Sequence, residues 1–192
     1  MEGESSMIFI SGGVRSGKSS FAENLACDLA KQTGGNLQYI AAGQANDPEM
    51  EARIQRHQED RKSSSLKWTS WEKPSRLAEL SGVFGKNDIV LLDCLTTLLN
   101  NELFLTEDRW RDPAVQKQID ADILEGIIHI QRDCKAFIVV SNEVLNEPMG
   151  GNELVFIYGR LLGSLHQKMA EKAEKAFLIE AGIPLQMKGE PA

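Results

Sequence analysis

Gly12-Gly13-Val14-Arg15-Ser16-Gly17-Lys18-Ser19 follows directly on the apolar run Met7–Ser11, and no other feature restricts the fold of this chain so much. The octapeptide fits G-x-x-x-x-G-K-[ST], whose glycines let the backbone curl until several N–H groups aim at one anion. The run before it reads as a buried strand. Gly17–Thr33 after it has the helical period and stops at Gly34-Gly35, a C-cap signal. Strand, curled loop and helix N-terminus in that order form a cradle for phosphates. Lys18 is placed to reach the β- and γ-phosphates of a nucleoside triphosphate, and the Ser19 hydroxyl to hold Mg2+. The bland alternative is a glycine-rich structural turn, which the flanking strand and helix argue against.

Four more apolar runs suit buried parallel strands: Leu37–Ala41, Ile89–Asp93, Ala136–Ser141 and Ala176–Glu180. Helices are expected between them. Asp47-Pro48-Glu49 combines a capping carboxylate, a first-turn proline and an acid at the positive dipole end, and its helix should run to about Arg61. Pro74–Leu80 reads as a short helix, and Pro113–Asp133 and Asn152–Lys175 as long ones. Trp68 and Trp71 flank a short strand, and Ile183–Lys188 can add a hairpin strand after Gly182. This alternation predicts an α/β doubly wound fold with a mainly parallel sheet and helices on both faces. We expect one domain over the 192 residues, with Met1–Ser6 a disordered tail. Ligands in such sheets sit beyond the carboxyl ends of the strands, where Asp93 closes an apolar strand in the Walker-B manner. Asp93 is therefore the second expected metal ligand beside Ser19; its alternative is a strand-end cap.

A formal net charge of -7 makes nucleic acid an unsuitable main partner. Cys27, Cys94 and Cys134 are scattered without metal spacing and read as small buried thiols in a reducing compartment. The polar, acidic start is unlike a signal peptide, and no apolar run approaches the roughly 20 residues that span a bilayer. The expectation is a cytoplasmic protein without a membrane partner.

Three histidines differ in setting. His129 and His166 lie in long amphipathic helices with no charged partner evident at helical spacing, and read as packing or surface residues. On the Asp47–Arg61 helix, however, Arg53, His57 and Arg61 are spaced by four and form one stripe beside Met50 and Ile54. Two guanidiniums would hold the imidazole neutral and gather phosphate oxygens around it. A neutral imidazole near a triphosphate can attack phosphorus. The alternative is a solvated Arg/His face.

Three segments now stand together: GGVRSGKSSFAE at Gly12–Glu23, RIQRHQEDR at Arg53–Arg61 and LLDCLTTLLNN at Leu91–Asn101. In this order they resemble the bifunctional adenosylcobinamide kinase / adenosylcobinamide-phosphate guanylyltransferase family of cobalamin biosynthesis, over Met7 to Lys188. The resemblance implies a RecA-like P-loop fold and two reactions. In the first, ATP or GTP phosphorylates the aminopropanol hydroxyl of adenosylcobinamide. In the second, GTP guanylylates an enzyme histidine and GMP passes to the new phosphate, giving adenosylcobinamide-GDP. The family's modified histidine falls on His57. Its nucleotide contacts fall on Gly12, Gly13, Val14, Arg15, Ser16, Gly17, Lys18 and Ser19, on Ala42, Gly43 and Gln44, and on Gln58, Glu59, Asp60 and Arg61. Two acids of its site match Glu72 and Asp93. A homo-oligomer, a trimer, is the assembly the resemblance suggests. The chain departs from the family pattern after Asn142-Glu143-Val144, where residues 145–151 and Phe156–Arg160 replace the usual segments; this bears on the acceptor side.

Two other functions compete. One is a P-loop kinase of another small alcohol, with His57 only a phosphate contact. The other is a RecA-like regulatory ATPase, against which the acidic charge and the lack of an arginine-rich or aromatic strand-binding segment both count. Trp68, Trp71 and Trp110 can be read as stacking platforms or as packing, and packing is the ordinary role. Glu107–Arg111 reads as a solvated mixed-charge loop.

Overall fold

A computed structural model describes residues 5–43, 55, 59, 66–144 and 152–190. Its core is a seven-stranded sheet: β1 (Ser6–Gly12), β2 (Asn36–Ala41), β3 (Trp68–Glu72), β4 (Asp88–Asp93), β5 (Ala136–Asn142), β6 (Lys175–Glu180) and β7 (Ile183–Lys188). The spatial order is β3-β2-β4-β5-β1-β6-β7. All neighbouring pairs are parallel except β6 and β7, which form the expected antiparallel hairpin. This is the α/β, RecA-like P-loop arrangement anticipated from the sequence, with β5 inserted between the loop-bearing strand β1 and the Asp93-bearing strand β4.

The helices are α1 (Lys18–Thr33), α2 (Leu95–Phe104), α3 (Pro113–Asp133) and α4 (Glu153–Lys172). Strand residues alternate between two buried faces. Met7, Phe9, Val90, Leu92, Phe137 and Val139 pack toward α2, α3 and α4. Ile8, Ile10, Leu91, Ile138 and Val140 pack against Ala22, Ala26 and Ala30 of α1, whose four-residue spacing gives one small-residue stripe and a close approach. Continuous apolar runs, rather than alternating ones, are the signature of strands covered on both sides.

The local signals act as expected at two helix starts. Asp112 accepts from the Ala114 N–H at 2.8 Å with Pro113 in the first turn, and Asn152 accepts from the Leu154 N–H at 2.9 Å. Other expectations need correction. The segment Pro74–Leu80 holds only a 3-10 turn, Leu77–Leu80, entered through Arg76 in the left-handed region. Helix α4 stops at Lys172 rather than Lys175, because the chain must extend into β6, and the Glu174 N–H already donates to the Met7 carbonyl at 2.9 Å. Glu107–Arg111 is a 3-10 turn, not an open loop; Arg111 pairs with Glu153 at 2.9 Å and stacks over Trp110 at 4.0 Å. Helix α2 has no counterpart in the sequence reading. The expected helix Asp47–Arg61 lies mostly outside the described residues, of which Gln55 and Glu59 are helical.

Trp68 and Trp71 pack edge-on against Tyr39 and Phe84, and the Trp71 indole N–H donates to Gln38 at 2.9 Å. Their role is packing. All three cysteines are free thiols. No helix among the described residues is long and apolar enough to cross a membrane.

Candidate functional site

The loop between β1 and α1 has the curled form its sequence demands. Gly17 sits at φ 91° and Arg15 at φ 61°, two left-handed residues that turn the chain back into α1. A Cβ on Gly12 would lie 2.6 Å from both the Ile179 carbonyl oxygen and Ser16 Oγ, so no larger residue fits there. Within the loop the Ser16 N–H donates to Gly13 at 3.2 Å, and Lys18 Nζ donates to the Gly13 carbonyl at 3.0 Å. Lys18 is only 3% exposed and Ser19 is buried at the head of α1. Burying an ammonium costs free energy unless oxygens or an anion receive it, and the Gly13 carbonyl is one such oxygen. Val14 is 61% exposed and points away.

The remaining candidates line the same carboxyl edge. Ala41 is in register with Glu72 on one side and Asp93 on the other, which places the two acids on β3 and β4 across β2. Asp93 Oδ2 accepts from the Tyr39 hydroxyl at 3.2 Å, while Glu72 is exposed. Ala42 is fully buried; its N–H donates to the Asp93 carbonyl at 3.1 Å, and its carbonyl accepts from Asn101 of α2 at 3.0 Å. Gly43 follows, half-buried. Gln44, His57, Gln58, Asp60 and Arg61 lie outside the described residues, and Glu59 is helical and exposed. The structure thus sets the loop, Ala42, Gly43 and the two acids along one carboxyl edge, with Ala42 and Gly43 beside Asp93, and Glu72 the most distant from the loop.

A buried polar cluster, which the sequence reading did not identify, sits beside the loop. Thr96 is its centre: Oγ1 accepts from the Asn142 backbone N–H at 3.2 Å and from Asn142 Nδ2 at 3.1 Å. With both lone pairs engaged, the hydroxyl hydrogen is left for Cys94 Sγ at 3.0 Å. The Tyr158 hydroxyl donates to the Thr96 carbonyl at 3.2 Å, tying α4 to α2. Burial pushes the Cys94 thiol and the Tyr158 phenol upward, so both stay protonated. Cys134, buried elsewhere, is pushed up to about 12 for the same reason.

Ser141, the penultimate residue of β5, is fully buried, and its Oγ is 2.7 Å from Nε2 of His166. The imidazole, 9% exposed, packs against Phe9 with centroids 5.3 Å apart, and its Nδ1 lies 3.9 Å from Glu143 Oε2. Desolvation lowers the His166 pKa, against the attraction of Glu143. His166 is a packing residue as expected, but one with an acidic neighbour. His129 also corrects the sequence reading, since Glu125, one turn earlier, stands 3.9 Å from its Nε2.

Oxygen donors suit Mg2+, which keeps waters and substrate phosphates in its shell and needs only one or two protein ligands. Ser19 and Asp93 supply that kind of donor, and the described residues contain no cluster of three His, Cys, Asp or Glu that would form an all-protein cage. The donor set fits the ion.

Residues 8–187 match the family described as cobinamide kinase / cobinamide phosphate guanyltransferase. Three curated relatives align over nearly their whole length. The bifunctional adenosylcobalamin biosynthesis protein CobU of Escherichia coli (strain K12) is 33% identical, over 95% of this chain and 99% of its own. CobU of Salmonella typhimurium is 32% identical, with the same 95% and 99% coverage. The bifunctional adenosylcobalamin biosynthesis protein CobP of Pseudomonas aeruginosa is 36% identical, over 95% of this chain and 97% of its own.

Proposed function

The chain belongs to the cobinamide kinase / cobinamide phosphate guanyltransferase family, and from that premise we propose that it carries out both reactions on a corrinoid through one triphosphate cradle. In the first, the γ-phosphoryl group of ATP or GTP passes to the aminopropanol hydroxyl of adenosylcobinamide. In the second, the His57 imidazole attacks the α-phosphorus of GTP and pyrophosphate leaves; the phosphate of the first product then attacks the histidine-bound GMP, giving adenosylcobinamide-GDP and free histidine. A phosphoramidate keeps the transfer potential of GTP for this second acceptor.

The observation that carries the reading is Lys18, an ammonium held 3% exposed inside a curled loop whose first glycine, Gly12, leaves no room for a Cβ. Phosphoryl transfer asks chiefly for positioning and neutralised charge. The loop N–H groups, α1 and Lys18 supply both at the β- and γ-phosphates. Ser19 and Asp93 would hold Mg2+, which when bound neutralises phosphate oxygens. Ala42 and Gly43, fixed from behind by Asn101, would border the nucleotide, with Gln44, Gln58, Glu59, Asp60, Arg61 and Glu72 completing its contacts.

Incubation with α-labelled GTP tests the proposal. Wild-type protein should acquire acid-labile, alkali-stable label, and His57→Ala should lose it while phosphorylating adenosylcobinamide at a similar rate. Equal labelling of the two would remove His57 as nucleophile. Phosphorylation of a small alcohol without any label on the wild type would instead favour a plain P-loop kinase.

A further inference from the structure

We propose that Glu143 accepts the proton of the acceptor hydroxyl during phosphoryl transfer, and that His166, anchored on Ser141, positions it. The inference rests on the kinase half of the reading above and adds a residue to it.

Position singles Glu143 out. It follows the last residue of β5, the strand beside β1, and its backbone N–H donates to the Gly12 carbonyl at 2.8 Å. Its main chain is thereby fixed to the first residue of the phosphate loop. Among the other carboxylates of this edge, Glu180 closes β6 on the opposite side of β1 and is exposed, and Asp93 and Glu72 are farther off. Strands in a sheet stand about 4.8 Å apart, so Asp93, two strands from β1, is displaced by about 10 Å and Glu72, four strands away, by about 19 Å. Asp93 is also engaged by Tyr39 and suited to the metal. The thiol and phenol nearby hold their protons. Glu143 combines a main-chain hydrogen bond to the loop with a half-buried carboxylate, whereas Glu180 is exposed.

Its side chain is arranged for a proton acceptor. It is 25% exposed, so a substrate can reach it. Behind it the imidazole is immobilised by Ser141, by Phe9 and by the α4 backbone. When Nε2 accepts the Ser141 hydroxyl, the ring hydrogen lies on Nδ1 and is directed toward the Glu143 carboxylate, 3.9 Å away in the present geometry. Ser141 and Glu143, two apart along the chain end of β5, project to the same face, which is the face α4 covers.

An oxygen lone pair of the alcohol forms a bond to the γ-phosphorus as the bond from that phosphorus to the β-phosphate oxygen breaks. The electron pair of the broken bond leaves with the nucleoside diphosphate. The hydroxyl proton passes to the Glu143 carboxylate and is released to water with the product. His166 changes no bond.

The test uses the full-length protein with adenosylcobinamide and γ-labelled ATP, alongside binding of a non-hydrolysable ATP analogue and labelling by α-labelled GTP. In Glu143→Gln, kcat for phosphorylation should fall by about 10²- to 10⁴-fold, the range for a lost general base. The nucleotide KM, analogue binding and GMP label should stay within about twofold of wild type. Glu143→Asp should recover part of the lost rate. His166→Gln should lower kcat by about tenfold with the nucleotide KM unchanged, a split that a merely structural role would not produce. Wild-type kcat in Glu143→Gln overturns the proposal. Loss of analogue binding and GMP label along with kcat makes Glu143 a prop of the loop and overturns it too. A wild-type protein that binds the analogue yet never phosphorylates the corrinoid overturns the kinase reading first, before any variant is made.

Discussion

On the α1 side of the sheet's carboxyl edge, the phosphate loop takes its shape from main chain: left-handed turns at Arg15 and Gly17, a Gly12 with no room for a Cβ, and carbonyls that receive Lys18. On the opposite side, beneath α2 and α4, the structure is held by side chains: the Thr96 hydroxyl, the Asn142 amide and the Ser141–His166 pair. The two regions meet at Gly12 and Glu143. They differ in what a substitution can do. A backbone-built loop is indifferent to the identity of outward side chains and intolerant of added atoms at Gly12, where space is lacking, and at Gly17, where φ is left-handed. A side-chain cluster tolerates no loss of a partner, because each group left over is buried without water.

The largest effect that would sharpen this contrast belongs to Lys18→Ala, which removes the ammonium buried in the loop. Both phosphorylation and guanylylation should fall by on the order of 10²- to 10³-fold or more, read as initial rates with γ- and α-labelled nucleotide. Full guanylylation by this variant would mean two separate nucleotide sites. Gly12→Ala comes next. Its Cβ would meet a backbone carbonyl at 2.6 Å, so stability should drop by about 3 kcal/mol, the upper end for overpacking, and nucleotide binding should vanish with it. Denaturant midpoints against an unchanged m-value would measure the first part.

Across the sheet, Thr96→Val keeps the shape and deletes the oxygen. The Asn142 N–H and amide lose their acceptor, and we expect about 1–2 kcal/mol of destabilisation while nucleotide binding persists. Loss of binding in this variant would break the distinction between the two regions. A smaller effect should follow from pH. The His166 pKa lies below its usual 6.5, so below that value the unfolded chain binds a proton that the folded ring resists. Stability contributed by the neutral ring should therefore be lost as pH falls from 6.5 through the folded pKa, and His166→Gln should flatten that part of the curve. The smallest effect is Val14→Ser: with the side chain 61% exposed, nucleotide affinity should match wild type in a direct titration.

The strands and the loop were legible in the sequence because they depend on local pattern: unbroken apolar runs, glycines at fixed spacing, proline after a capping carboxylate. Helix α2 was not. Its N-cap, Cys94, makes no side-chain cap hydrogen bond, and Leu95–Phe104 is apolar enough to read as more core. Asp93 is visible as a strand-end carboxylate, whereas the tie from Tyr39 to Asp93 spans 54 residues and leaves no local trace. Ser141 and His166 are likewise 25 residues apart, and only the packing of α4 on β5 makes them neighbours. The Glu125–His129 pair, by contrast, has the i,i+4 spacing that a sequence does display. Nothing local to Lys172–Lys175 marks the point where the helix must end and β6 begin.

The turn joining β6 and β7 bears on how this protein is made. Ala181 and Gly182 turn the chain at φ 49° and 81°, the Gly182 N–H donates to the Ser16 carbonyl at 2.9 Å, and its Cα lies 3.4 Å from where a Cβ on Gly17 would be. The phosphate loop is translated early and its buttress late. A ribosome that has released α1 still holds a nascent chain without this brace, and the Ser16 carbonyl gains its Gly182 partner only once the hairpin has emerged.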